Sequence, residues 1–104
     1  MIINVTARHF KAWPELHELV VDAANGFLKY NESITRTDIV LSEENDKFIE
    51  FTVHVNSHTF HGEATGADFD KALHGASDKI VAQLRKLKEK MTNHKGKDVP
   101  EFLG

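Results

Sequence analysis

Apolar and polar positions alternate from the start of the chain. In IINVTAR, residues 2–8, Ile3, Val5 and Ala7 fall on one side and Asn4, Thr6 and Arg8 on the other. A period of two belongs to a strand with one buried face, so a first strand is expected here. The period then lengthens. Pro14 suits a first helical turn, and Glu15 and Glu18 suit the positive N-terminal end of a helix. Leu16, Leu19, Val20, Ala23, Ala24, Phe27 and Leu28 follow at helical spacing, with an exit through Tyr30-Asn31-Glu32-Ser33. Gly26 costs helix propensity inside that run, and close packing is the reason expected for it.

Alternation then returns. TRTDIVLSEE (35–44) places Thr37, Ile39 and Leu41 on one face, and KFIEFTVHV (47–55) does the same with Ile49, Phe51, Val53 and Val55. Glu43-Glu44-Asn45-Asp46 between them reads as a hairpin connection. Asn56-Ser57-His58 reads as a second tight turn. Residues 59–65 (TFHGEAT) then oppose Phe60, Gly62 and Ala64 to His61, Glu63 and Thr65, which makes a fourth strand. A long helix closes the pattern. Asp68 can cap it, and Phe69, Ala72, Leu73, Ala76, Ile80, Leu84, Leu87 and Met91 step by three or four.

The order β-α-β-β-β-α implies an α+β fold. The three consecutive strands can form an antiparallel meander, and the first strand can join it in parallel through a right-handed crossover. Two helices would then pack on one face of a four-stranded mixed sheet, leaving the other face to solvent or a partner.

With 104 residues, one domain is expected, spanning residues 1–92, followed by a flexible tail over residues 93–104. Apolar residues at 40% and charged residues at 28% are the proportions of a soluble globular domain. The chain has no cysteine, which removes disulfides, thiolate catalysis and cysteine-based zinc sites and fits a reducing cytoplasm. MIINVTARHF has too short an apolar run for a signal peptide, and no stretch approaches the ~18 apolar residues of a membrane span. A cytoplasmic location without a membrane partner is therefore expected.

Charge changes the picture. Residues 79–97 (KIVAQLRKLKEKMTNHKGK) carry seven Lys and Arg against Glu89, a balance of +6, so a chain of net −3 carries −9 elsewhere. At 100° per residue, Lys79, Gln83, Lys86 and Lys90 form one flank beside the apolar stripe, while Arg85 and Lys88 point in other exposed directions. A solvated helix face with cations near its C-terminus is one account of this run. A ladder matched to nucleic-acid phosphates is the other, and such binding does not require a basic protein overall.

Other constellations carry less. His54, His58 and His61 fall within eight residues, and His54 and His61 alternate to the outer sheet face, where they could lie opposite each other. Imidazoles so placed can bind zinc, yet no nearby Asp or Cys completes an obvious set, so no metal is assigned. No serine lies in a G-x-S-x-G context and no glycine-rich phosphate loop is present, so neither an enzyme nor a cofactor is expected. Gly62 and Gly66 read as strand and strand-end residues. Phe51 and Phe60 read as a buried pair, and Trp13 as either a staple of the first helix or an exposed contact.

Three segments bring a family into view. NVTARH (4–9), LHELV (16–20) and above all DFDKALHGASDKIVAQLRKLKEK (68–90) resemble the short ribosome hibernation promoting factors, relatives of the ribosome-associated inhibitors of translation. The resemblance runs from Ile2 to about Lys90. It implies a fold related to double-stranded-RNA-binding domains. It also implies a stress and stationary-phase role: binding small-subunit rRNA in the mRNA and tRNA channel, alone or with other hibernation factors, and so inhibiting translation in idle cells. DNA is not an implied partner. Lys79, Lys86 and Lys90 match basic positions of the family's helix, Gln83 fits the same flank, Arg85 and Lys88 are secondary, and Arg8 and His9 lie at the turn after the first strand. Asp22 and Ala23 stand where relatives carry paired lysines, Ala82 where they carry another basic residue, and His74-Gly75 interrupts a segment usually acidic and then apolar. The alternative is a regulatory module of the sigma-factor modulation type that binds proteins through the open sheet face or the acidic first helix.

Overall fold

A computed structural model describes the backbone of residues 1–96 and the side chains of residues 1–88. The elements are β1 (Ile2–Arg8), α1 (Pro14–Gly26), a 3-10 turn (Phe27–Lys29), β2 (Ile34–Glu43), β3 (Lys47–Val55), β4 (His58–Gly66) and α2 (Phe69–Gly96). The sheet order is β1-β2-β3-β4, with β1 parallel to β2 and the other two pairs antiparallel. This is the expected mixed four-stranded sheet. Of the expected tail, residues 93–96 continue α2 and residues 97–104 lie outside the described residues.

The alternating pattern decides which face is covered. Thr37, Ile39, Leu41, Ile49, Phe51, Val53 and Val55 are all fully or almost fully buried beneath the helices. From α1 and its 3-10 extension come Leu16, Val20, Ala24 and Phe27; from α2 come Phe69, Ala72, Ala76, Ile80 and Leu84. Phe27 meets Phe51 edge-on, with ring centroids 5.1 Å apart. Capping follows the sequence. The Asp68 carboxylate accepts from the Lys71 backbone N–H at 2.9 Å, and Pro14 occupies the first turn of α1.

Four details depart from the sequence reading. Leu19 lies on the apolar stripe but stays 38% exposed, on the wall of an open cleft between the starts of α1 and α2. A Cβ on Gly26 would meet nothing within 4 Å, so close packing is not its reason. His58 belongs to β4, since the connection is the two-residue turn Asn56-Ser57, with Asn56 at φ 52 and Val55 paired to His58. Phe60 is only partly buried, opposite Val53, while Phe51 faces Gly62.

Small residues set how closely α2 approaches the sheet. A Cβ on Gly62 would lie 2.9 Å from the Ala76 carbonyl oxygen and 3.1 Å from Lys79 Cβ. A Cβ on Gly75 would lie 2.8 Å from Ala64 Cβ, which explains the glycine in the unusual His74-Gly75 pair. The helix runs back along β4, from Gly66 near Lys71 and Ala72 to the strand's start near Lys86 and Leu87. It then continues to Gly96.

Candidate nucleic-acid interface

The close approach of α2 and β4 fixes what the basic flank can reach. β4 is an edge strand, so one side of its backbone has no strand partner. Lys79 and Gln83 supply one. Lys79 Nζ donates to the Glu63 carbonyl oxygen at 2.6 Å, and Gln83 Nε2 donates to the His61 carbonyl oxygen at 2.8 Å and to the Lys79 carbonyl oxygen at 3.2 Å. One turn further on, Lys86 is exposed beside a cleft of about 240 Å³ lined by His58, Phe60, Gln83 and Leu87. Arg85 points to the opposite flank, its guanidinium 5.7 Å from the centre of the Tyr30 ring. Lys88 is exposed, and the side chain of Lys90 lies outside the described residues.

Arg8 and His9 are elsewhere. Arg8 pairs with Ser42 at one end of the sheet, whereas Lys86 lies by His58 at the other, roughly 20 Å away at strand rise. Arg8 lines a shallow cleft with Glu44 and Asp46, and His9, at φ 64, has Nε2 3.7 Å from Glu44 Oε2. The structure thus brings together Lys79, Gln83 and Lys86 on one flank of α2, and leaves Arg8 and His9 apart, among acids.

The open sheet face is a polar lattice. Asn4 Nδ2 donates to Asp38 Oδ1 at 2.9 Å, Arg36 Nε donates to Asp38 Oδ2 at 3.1 Å, and His54 Nε2 lies 3.3 Å from the same oxygen. The Asn4 amide holds the Asp38 carboxyl below the usual carboxylate range against partial burial, with His54 and Arg36 adding to the effect. His54 and His61 share this face but do not stand opposite each other. The two-residue turn pairs His54 with Thr59 and His61 with Thr52. His58, His54 and His61 therefore form no common ligand set. His61 instead lies 3.0 Å from both Glu50 and Glu63. These carboxylates are legible in the sequence as outward positions, but their meeting depends on strand register.

An apolar opening lies at the far end of both helices. Trp13, 45% exposed, packs with Phe10 and Phe69, and a cleft of about 370 Å³ runs between Trp13, Leu16, Leu19 and Phe69 with Glu15, Asp68 and Asp70 at its rim. Trp13 thus packs against the start of α2 and stays partly exposed. Among the described residues, no helix is long and apolar enough to cross a membrane.

The molecule is an α+β domain with a charged helix flank held along an edge strand and a polar open sheet face. The chain belongs to the family described as Sigma 54 modulation protein / S30EA ribosomal protein, whose model matches residues 3–92. It is 32% identical to the ribosome hibernation promoting factor of Salmonella typhimurium and 30% identical to that of Escherichia coli K12, in each case over 90% of this chain and 100% of the relative. In fold it is similar to a ribosomal subunit interface protein from Coxiella burnetii, with a TM-score of 0.79, 22% identity and coverage of 86% and 99% of the two chains. The N-terminal domain of Thermus thermophilus Protein Y is also similar, at 0.76, 19%, 84% and 99%.

Proposed function

We propose that the protein is a non-enzymatic ribosome hibernation factor of the cytoplasm. It binds the small ribosomal subunit in the mRNA and tRNA channel and blocks translation in idle cells, alone or with other hibernation factors. Family membership across residues 3–92 is the observation that carries this reading, together with relatives named for ribosome hibernation. The α2 flank is its contact surface. Lys86 is the central phosphate ligand, Lys90 extends the line, Lys88 is secondary on another side of the helix, and Lys79 and Gln83 hold the flank against β4 while contributing positive potential and a polar edge. Arg85 and the separate Arg8-His9 corner are secondary. Contacts to phosphates position a protein without reading sequence, so the shape of the rRNA selects the site.

Co-sedimentation with small subunits across a salt series tests this. The wild-type chain is expected to pellet at low salt and to be released steeply as salt rises, and Lys86→Glu with Lys90→Glu is expected to stay in the supernatant while keeping its circular dichroism spectrum. Failure of wild type to pellet at low salt would sink the reading. A protein-docking reading has one observation in its favour, the acid-rimmed apolar cleft at Trp13 and Leu19. The sheet face itself is a hydrogen-bonded polar surface around Asp38 and His54. Docking in the cleft predicts weak salt dependence and sensitivity to Trp13→Ala in place of Lys86→Glu.

A further inference from the structure

We infer that the open sheet face binds a divalent metal ion of the zinc class between Glu50, His61 and Glu63. Glu50 on β3 and Glu63 on β4 are directly paired in the antiparallel register, and His61 precedes Glu63 by two residues on the same face. His61 Nε2 lies 3.0 Å from Glu50 Oε2 and 3.0 Å from Glu63 Oε1, and the three ligand-type atoms lie within 4.8 Å of one another. Among the described residues this is the single cluster of three or more such groups.

Two features of this arrangement point to a cation. The first is charge. Like charges directly opposite across a strand pair repel. Both carboxylates have His61 as their partner among the described ion pairs, so two negative charges face one imidazole. The second is valence. One ring nitrogen holds at most one proton and cannot make a full hydrogen bond to each carboxylate. A divalent ion in that proton's place bonds all three groups and neutralises both acids.

The spacing fits with little movement. Donors around a tetrahedral ion at bond lengths of ~2.1 Å stand ~3.4 Å apart, so the two imidazole-carboxylate distances need open by only a few tenths of an ångström. The carboxylates close on the ion through their own side-chain torsions. Glu50, on an interior strand with its side chain 21% exposed, is the fixed ligand, and Glu63 and His61, half exposed, adjust to it. One imidazole nitrogen with two carboxylate oxygens suits Zn²⁺ better than Mg²⁺, which favours oxygen ligands and keeps its waters. The fourth position faces outward and takes a water molecule. The inference stands apart from the ribosome reading, since no α2 side chain is a ligand.

The test is titration of the chelator-treated full chain with ZnCl2 by calorimetry near neutral pH, with Co²⁺ absorption as a spectroscopic probe. One saturable site is expected, with Mg²⁺ unable to compete. Glu50→Gln, His61→Asn and Glu63→Gln should each weaken it by at least about tenfold, while His54→Asn and His58→Asn leave it unchanged. On the wild-type chain, Zn²⁺ should shift the ring nitrogen resonances of His61 and not those of His54. Absence of a saturable site, uptake that survives His61→Asn, or loss of uptake with His54→Asn or His58→Asn would each overturn the inference. None of these outcomes bears on ribosome pelleting.

Discussion

The ammonium group of Lys79 lies 2.6 Å from the backbone carbonyl oxygen of Glu63, an acceptor on the unpaired side of the edge strand β4. A lysine that the charge pattern assigns to phosphate is therefore also a backbone clamp. Gln83 repeats the arrangement on His61 one turn later. Together they occupy strand carbonyls that would otherwise offer a template for another chain. Replacing Lys79 with Met keeps the aliphatic stem and removes the donor. The expected loss is about 0.5–1.5 kcal/mol in urea unfolding, because the bond is solvent-exposed but charge-assisted. An unchanged urea midpoint would mean that water replaces the clamp at no cost.

Lys86 should behave in the opposite way. It is exposed beside the His58-Phe60 cleft. Lys86→Met is expected to leave stability within about 0.5 kcal/mol of wild type. The same change should weaken ribosome binding and lower the salt slope of the binding constant by about one. Co-sedimentation over a salt series and urea unfolding on the same two variants would separate the structural lysine from the binding lysine. If Lys79→Met lowers the slope and Lys86→Met does not, the assignment of roles is reversed.

Much of the fold is legible in the sequence alone. The strands and the face each presents follow from period-two alternation, and the cap at Asp68 and the stripe of α2 follow from spacing. What is not legible depends on contacts between distant segments. The direction of Lys79 along the helix can be read, but not that a β4 carbonyl lies beneath it, since that rests on Gly62 and Ala76 letting the backbones close in. Alternation places His54 and His61 on one face, as the structure does. Their partners are hidden from it, because one residue more or less in the turn would change every cross-strand pair. Leu19 shows the reverse limit: the right period does not ensure a neighbour to bury against.

Gly26 and Gly62 make a paired prediction of opposite sign. Gly26 sits at φ −64 and ψ −25 with no atom within 4 Å of an added Cβ. Gly26→Ala should therefore stabilise by about 0.5–1 kcal/mol through helix propensity. Gly62→Ala drives a methyl into the Ala76 carbonyl and Ile80 and should destabilise by about 1–3 kcal/mol. It should also loosen the Lys79 and Gln83 clamps, because α2 must lift from β4. Thermal unfolding of both variants measures the signs, and amide exchange along β4 reads the second effect. A neutral Gly62→Ala would show that the helix can shift without cost.

Asp38 gives the pH prediction. Its carboxyl is held below the usual range first by the Asn4 amide, then by His54 and Arg36, against the opposing effect of partial burial. A carboxylate whose folded-state value is depressed releases its proton more readily in the folded protein than in the unfolded chain. Its contribution to stability is therefore complete above the unfolded carboxylate range and disappears as pH falls through the lower folded value. Asp38→Asn should be less stable than wild type at neutral pH, and the gap should narrow as the solution is acidified below about pH 4. Urea midpoints of the two proteins across an acid pH series decide the matter. A gap that stays constant down to the acid limit would mean that the Asn4, Arg36 and His54 contacts do not favour the ionised form of Asp38.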